Sequence, residues 1–335
     1  MSTSRRGDVL AALRAADGGI VSGESLAAGL GVSRVAIAKH VRHLRERGYE
    51  ILSVPGQGYR LVASPDVLTD DDLESRVASS LVSRVSVATV TGSTNDDAKK
   101  LAAAGVSEIA VVVASQQTAG RGRLGRVWES PAGGVYVSFL FRPTLPVAGL
   151  SPLPLVVGLG AARGLERLGA DVRLKWPNDL VLDGGKLAGV LLEMAAEADR
   201  AQWVVAGIGL NVRRAPMAAG AASGAATGAA AGLATSAAYL EDALPGIDLA
   251  DVAAAVIDGV AETYAAFVKS GFVALRADYE HRHMLAGREA SVTDAVGERI
   301  AEGRVDGVDD SGRLLVRSPQ GLVAVIAGDV TLRRR

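Results

Sequence analysis

Twelve consecutive residues, Gln117-Thr118-Ala119-Gly120-Arg121-Gly122-Arg123-Leu124-Gly125-Arg126-Val127-Trp128, interleave three glycines with three arginines. Glycines let backbone amides approach an anion closely, and guanidiniums form charge-assisted hydrogen bonds to phosphate or carboxylate oxygens. The segment suits a polyphosphate. It lacks the Gly-x-x-x-x-Gly-Lys-Ser/Thr spacing, and Gly184-Gly185-Lys186 is followed by Leu187, so ordinary P-loop chemistry is disfavoured. A flexible arginine–glycine segment touching RNA without sequence preference is a second reading of the same residues.

Other blocks surround it in order: Ser93-Thr94-Asn95, then Lys175-Trp176-Pro177-Asn178-Asp179, then Gly185-Lys186-Leu187-Ala188-Gly189-Val190-Leu191-Leu192-Glu193, then Gly207-Ile208-Gly209-Leu210-Asn211-Val212. The elements that must position them are legible from periodicity. Strands are predicted over 85–90, 109–115, 135–141, 172–176, 187–193 and 203–208, and helices over 152–168 and 249–268. The second helix puts Leu249, Val252, Val256, Val260, Tyr264 and Phe267 on one stripe. An α/β or α+β domain over 85–285 follows.

The whole chain has 335 residues, 49% hydrophobic and 22% charged, which predicts two or three folded domains and excludes a disordered polymer. It contains no cysteine, so disulfides, thiolate nucleophiles and cysteine-ligated metals are excluded. The N-terminus has no uninterrupted apolar core of a secretory signal, and a cytoplasmic location is expected. The uncharged run 215–240 is long enough to span a bilayer but is mostly Ala, Gly, Ser and Thr; it is read as a loop, and no membrane partner is expected.

Net charge is −1, but residues 1–62 carry nine basic against five acidic side chains. That end is the candidate nucleic-acid face. A short helix over 23–30, a Gly31-Val32 turn and a helix opened by Ser33 as N-cap have helix-turn-helix spacing. On the second helix Ile37, Val41 and Leu44 face a core, which turns Ser33, Arg34, Ala36, Lys39, His40 and His43 toward bases and phosphates. Two extended runs around Pro55-Gly56-Gln57-Gly58 form a wing that offers Gln57 and Arg60. Residues 1–64 thus resemble a winged helix-turn-helix DNA-binding domain; a small helical protein-interaction module is the other reading. Acidic residues then mark 65–84 as a linker or short connecting helix. Short β-like runs at 288–292, 298–308, 313–317, 322–325 and 330–332, separated by turn compositions, predict a β-module over 286–335.

Taken together, the five ordered blocks closely resemble the biotin protein ligases, and with the winged helix the chain resembles the two-function form that also represses biotin synthesis genes. The resemblance implies a mixed-sheet ligase domain of the biotin/lipoate ligase type, followed by an SH3-like β-barrel. It implies that biotin and ATP react to biotinyl-5′-adenylate, with Mg2+ covering the pyrophosphate, and that biotin then passes to a lysine of a biotin carboxyl carrier protein. On this basis Arg121, Arg123, Lys186 and Asp179 are the catalytic candidates. Ser93, Thr94, Asn95, Gln117, Arg121, Gly122, Arg123 and Lys186 are expected on biotin, and Trp128, Asn178 and Asn211 on the adenylate. DNA at the biotin operator and a homodimer formed on biotinyl-AMP are implied as well.

Asp179 is expected to contact magnesium or the acceptor lysine. The adenylate residues and Asp179 also have structural alternatives: Asn178 caps a turn, Asn211 closes a strand, Trp128 is core, and Asp179 pairs with Lys175 or Lys186. Lys186 has the weakest alternative, because a buried lysine without an anion is costly. The arginine loop is expected to gain order only with its anion. Two departures stand out: Gly92 where the family often has an acidic residue, and a stretch between Val212 and Leu249 without the family's usual acidic and aromatic landmarks, although Ala234-Thr235-Ser236 is similar to a family turn. A non-catalytic biotin-sensing transcription factor and a lipoate-type ligase are the rival functions.

Overall fold

The computed structural model describes residues 5–65, 67–107, 109–215 and 236–332. Helices α1 (Arg5–Ala15), α2 (Gly23–Leu30) and α3 (Arg34–Glu46) pack around Val9, Leu10, Leu13, Leu26, Ile37, Val41 and Leu44. The Ser22 and Ser33 hydroxyls accept the amide hydrogens of Ser25 and Ala36 at 2.9 and 3.1 Å, satisfying donors that a helix start leaves unpaired. Between them Gly31 takes a left-handed φ of 63°, which lets the chain turn sharply out of α2. Strands β1 (Glu50–Val54) and β2 (Gly58–Ala63) pair antiparallel as the wing. Helix α1 was not anticipated: its apolar residues fall in one run, 9–13, too short to show a helical repeat, and its burial comes from tertiary contacts.

The acidic connector contains a short helix, α4 (Asp70–Arg76), capped by Thr69. It is clamped to the winged helix. Asp71, fully buried, lies against Arg6 and Arg47 at 3.3 and 2.9 Å. Asp72 accepts hydrogen bonds from Arg14, from Arg76 at 2.7 Å and from Thr69 at 2.8 Å, while the Tyr49 hydroxyl meets Thr69 at 2.6 Å. Arg76 continues to Asp248 and Asp251 at the start of α8 (Leu249–Ser270). The stretch 65–84 therefore joins the two parts through a chain of ion pairs.

Beyond it lies a seven-stranded sheet in the order β3-β4-β5-β9-β8-β7-β6. Its strands are β3 (Arg84–Thr91), β4 (Ala110–Gln117), β5 (Gly134–Phe141), β6 (Arg173–Lys175), β7 (Asp179–Leu182), β8 (Gly185–Glu197) and β9 (Arg200–Asn211). Only β3 and β4 are parallel among these pairs. Helix α5 (Thr94–Ala103) covers one face through Ala98 and Ala102 against Ala110, Val112, Leu140 and Val205. Helices α6 (Leu153–Arg167) and α8 cover the other, and their backbones nearly touch.

A Cβ on Gly164 would lie 2.1 Å from the Ala255 carbonyl oxygen, so Gly164→Ala forces the helices apart. It is expected to lower stability by about 1–3 kcal/mol in chemical denaturation, the usual cost of overpacking. Gly29→Ala on α2 meets nothing within 4 Å and is expected to be neutral or stabilising. Equal midpoints for the two variants would contradict the close crossing. The span Val147–Arg167, which includes α6, is long and apolar enough by composition to cross a membrane; it is largely buried in this core.

Helices α7 (Leu240–Ala243) and α9 (Val273–Arg282) complete the layer, and β10 (Glu289–Thr293), β11 (Arg299–Val308), β12 (Leu314–Ser318), β13 (Gly321–Val325) and β14 (Asp329–Leu332) form an antiparallel SH3-like sheet. It is anchored by Trp176, whose buried indole donates to the Gly312 carbonyl at 3.0 Å, and by Glu280, which accepts the Val308 amide. The loop reading of 215–240 and the Ala234-Thr235-Ser236 turn fall mostly on 216–235, outside the described residues.

Candidate functional site

The first part of the site is a polar corner between α5 and the sheet. Ser93, Thr94 and Asn95 are all buried where β3 ends and α5 begins. The Thr94 amide and hydroxyl donate to Gln117 Oε1 at 2.9 and 3.1 Å, and Gln117 Nε2 donates to Ser130 at 2.9 Å. The Ser138 hydroxyl on β5 lies 2.7 Å from Thr94 Oγ1 and 2.6 Å from Asn95 Oδ1. Asn95 Nδ2 donates to Glu193 at 2.7 Å. The neighbouring floor is glycine by necessity: a Cβ on Gly207 would sit 2.2 Å from Asn95 Oδ1. Sequence reasoning gathered Ser93, Thr94, Asn95 and Gln117 here but missed Ser138, which looks like any strand residue.

The arginine loop crosses above this corner. Its start is tied to the end of β3 by Thr118 and Ala119 amides donating to Thr91 and Gly92 carbonyls at 2.9 and 2.8 Å. Its tip makes a tight turn with Leu124 and Gly125 at φ of 58° and 72°, closed by the Gly122 amide on the Arg126 carbonyl at 2.7 Å. Each guanidinium in the loop has a protein partner. Arg121 is bidentate to Asp96 at 2.9 and 2.7 Å, Arg123 donates to Asn178 Oδ1 at 2.9 Å, and Arg126 pairs with Asp329 of β14. Burial lowers the Arg123 pKa from its ordinary value, Asp329 and Asp179 opposing. A guanidinium in that setting gains most from a further anion.

Lys186, at the start of β8, is paired with Asp179 at 2.7 Å and its side chain is 31% exposed. The argument from an uncompensated buried lysine therefore does not apply; of the two partners foreseen for Asp179, Lys186 is the observed one. The lysine ammonium lies 5.3 Å from the Trp128 ring centroid, within cation–π range. The indole itself rests on glycines: a Cβ on Gly209 would come within 2.3 Å of its Nε1, and one on Gly189 within 3.4 Å of its edge. Trp128 Nε1 is buried without a hydrogen-bond partner among the described residues. Trp128 thus packs on the sheet with one edge toward the site, rather than lying in the core.

Asn178 is committed at both ends of its amide, accepting from Arg123 and donating to the Val190 carbonyl at 2.9 Å. Asn211 reaches the Lys186 carbonyl at 3.4 Å. A cleft of about 700 Å3, lined by Gln116, Thr118, Gly120, Trp128, Glu129 and Ala132, borders the loop, a size that accommodates a small organic ligand. No cluster of three or more metal-ligating side chains occurs among the described residues.

The N-terminal face is cationic. Burial, then Arg6, His43, Lys39 and Arg5, lower the His40 pKa. Ser33, Arg34, Lys39, Gln57 and Arg60 are exposed as expected. Ala36, His40 and His43 are only half-exposed, and His43 is paired with Glu46 at 3.0 Å, because the outward stripe of α3 runs instead through Val35, Ala38, Lys39 and Arg42.

This architecture, a winged helix clamped to a mixed sheet whose site is a glycine floor beside an arginine loop and a lysine, defines the class of biotin and lipoate ligases. The biotin/lipoate A/B protein ligase family matches residues 87–211, an HTH domain residues 5–60, and the biotin protein ligase C terminal domain residues 286–333. The bifunctional ligase/repressor BirA of Bacillus subtilis (strain 168) is 31% identical over 335 residues, covering 99% of this chain and 100% of that protein. That of Escherichia coli (strain K12) is 32% identical over 95% of this chain and 94% of its own. The biotin protein ligase from Aquifex aeolicus, solved in complex with biotin and ATP, superposes with a TM-score of 0.60 at 27% identity over 76% of this chain and 100% of its own. The chain belongs to the family of bifunctional ligase/repressors of the biotin protein ligase type.

Proposed function

We propose that the chain activates biotin with ATP, transfers it to a lysine of a biotin carboxyl carrier protein, and represses biotin genes when loaded with biotinyl-5′-AMP. The polar corner of Thr94, Asn95 and Gln117, with Arg121 tied through Glu193 to Asn95 and with Arg123 and Lys186 at the neighbouring Asn178-Asp179 turn, carries this reading. A biotin carboxylate, with a pKa of roughly 4–5, is already ionised at neutral pH and needs no general base. One of its oxygens attacks the α-phosphorus of ATP, the bond to the bridging oxygen breaks, and pyrophosphate leaves. Arg121, Arg123 and Lys186 stabilise the charge that develops. Ser93, Thr94, Asn95, Gln117 and Gly122 supply the paired donors and acceptors that the uncharged ureido ring requires. Mg2+ accompanies ATP, and a cation that keeps mostly water and phosphate ligands needs no carboxylate cage.

Trp128 covers the adenine. When Arg123 turns from Asn178 to phosphate, Asn178 Oδ1 becomes available to the base edge, with Asn211 beside it. The carrier lysine, as free amine, then attacks the acyl carbon; AMP departs with the bonding pair and the amine loses a proton. Asp179 is assigned to that lysine. DNA binding belongs to residues 1–64, through the exposed Ser33, Arg34, Lys39, Gln57 and Arg60, with the half-exposed Ala36, His40 and His43 at the edge of that face. A homodimer formed on the adenylate would engage two operator half-sites at once. The place of action is the cytoplasm, with no membrane partner.

Incubation with ATP, Mg2+, biotin and a biotin carboxyl carrier domain, followed by mass spectrometry, is expected to show one added biotinyl group on one lysine. A lipoyl adduct instead would assign the lipoate class. No transfer, with ligand-dependent binding to the upstream DNA retained, would assign the sensor reading. Titration of that DNA with and without biotinyl-AMP at two salt concentrations is expected to show tighter binding with ligand and steep weakening with salt.

A further inference from the structure

Glu193, near the middle of β8, and Asp96, in the first turn of α5, are absent from every role assigned so far, yet they touch both halves of the site. Glu193 accepts Asn95 Nδ2 at 2.7 Å and Lys99 Nζ at 3.0 Å, with Arg121 at 3.4 Å. Asp96 takes two hydrogen bonds from Arg121, and Lys99 lies against it at 2.7 Å. Each carboxylate thus meets both cations. We propose that Glu193 and Asp96 are positioning residues, which lock the arginine loop to the Ser93-Thr94-Asn95 corner so that the two present one preformed receptor to the acid substrate. This rests on the ligase reading and names how that site selects its smaller substrate.

The physical argument has two parts. A bidentate pair fixes the plane of the Arg121 guanidinium as well as its distance, and Glu193 supports the same guanidinium from the sheet side. Glu193 also determines which end of the Asn95 amide faces Ser138. With one N–H given to Glu193 and one lone pair to Ser138, Asn95 keeps one N–H and one lone pair for a ligand. An amide with its carboxylate removed is free to flip, and the corner then presents the wrong pattern. The two carboxylates and two cations balance in charge, so removing one carboxylate leaves a net cation that draws Arg121 toward other anions. Burial works against the charged form of Glu193, but hydrogen bonds from Asn95 and Lys99 outweigh it and hold its pKa below the ordinary value.

The test compares Glu193→Gln, Asp96→Asn and the conservative Glu193→Asp in the full chain. Pyrophosphate release is followed with biotin varied at saturating ATP and then the reverse, and trypsin cleavage after Arg121 is timed without substrates. Glu193→Gln is expected to raise the biotin KM at least about tenfold, the equivalent of one charge-assisted hydrogen bond, with the ATP KM within about twofold. Glu193→Asp is expected to recover part of that loss. Asp96→Asn, at an exposed position, is expected to speed cleavage after Arg121 several-fold, which a merely structural carboxylate would not do. An unchanged biotin KM in Glu193→Gln, or equal rises in both KM values, overturns the proposal. Should Glu193→Gln not fold, an unchanged cleavage rate in Asp96→Asn overturns it alone. Wild-type protein without biotin-dependent pyrophosphate release would sink the ligase reading instead, while the cleavage measurement still decides this one.

Discussion

Lys186→Ala and Arg123→Ala are each expected to slow adenylate formation by about 100- to 1000-fold at saturating biotin and ATP, the range for losing one preorganised donor to a transition state. Both side chains stand on the sheet side of the loop, half-exposed, and neither supports a hydrophobic contact of the core. The fold is therefore expected to survive. Lys186→Ala leaves the Asp179 carboxylate facing the site without its 2.7 Å partner, which adds repulsion toward an incoming phosphate. Arg123→Ala releases Asn178 Oδ1 and frees the loop tip from the Gly328 carbonyl, so part of its loss is expected in the ATP KM. Pyrophosphate release gives the rate, and near-normal turnover in both variants removes them from the mechanism.

The other large effect is on the clamp between the winged helix and the ligase. Asp72→Ala is expected to destabilise the N-terminal unit by about 3–5 kcal/mol, because it leaves Arg14 without its buried carboxylate and interrupts the chain of charges that Arg76 carries to α8. Burial raises the Asp72 pKa, but hydrogen bonds from Tyr49, Thr69 and Arg14 prevail and hold it below its ordinary value of 3.8. A lowered folded-state pKa means that the contribution is complete above the unfolded value, near pH 4, and is lost as pH falls through the folded one. Wild type is thus expected to lose winged-helix stability on acidification below about pH 4, while Asp72→Asn shows a flatter profile there. Amide hydrogen exchange of the buried winged-helix residues around Val9, Leu13 and Leu44 over that range is the measurement; superimposable pH profiles for wild type and Asp72→Asn would refute the assignment. A chain beginning near Pro65, expected to keep ligase activity and lose sequence-specific DNA binding, exposes Asp71 and Asp72 to water, which solvates them without leaving a charge buried.

Much of this was legible in residue order. Local rules placed Ser33 at a helix start, Gly31 at a turn and the five C-terminal strands between their turn residues, since capping and turn chemistry act over a few positions. Alternating and helical apolar periods located the main sheet strands and both long core helices, because burial of one face is written into spacing. The blocks around Arg121, Lys186 and Asn211 identified the family, since anion-binding chemistry restricts which residue types can stand together.

Partner choice was decided by tertiary structure alone. Nothing near Asp96 or Glu193 in sequence shows that they meet at Arg121, or that Asp329 arrives from the last strand to hold Arg126. The sequence by itself determined most strands of the main sheet, its two long core helices, the family and the set of charges available for catalysis, while α1, α5, α7, α9 and β7 emerged only in the structure. Which carboxylate each cation faces was left to the fold, because a charge in a half-buried site takes its energy from whatever the packing brings within a few ångströms, and that distance is not a property of any local stretch of chain.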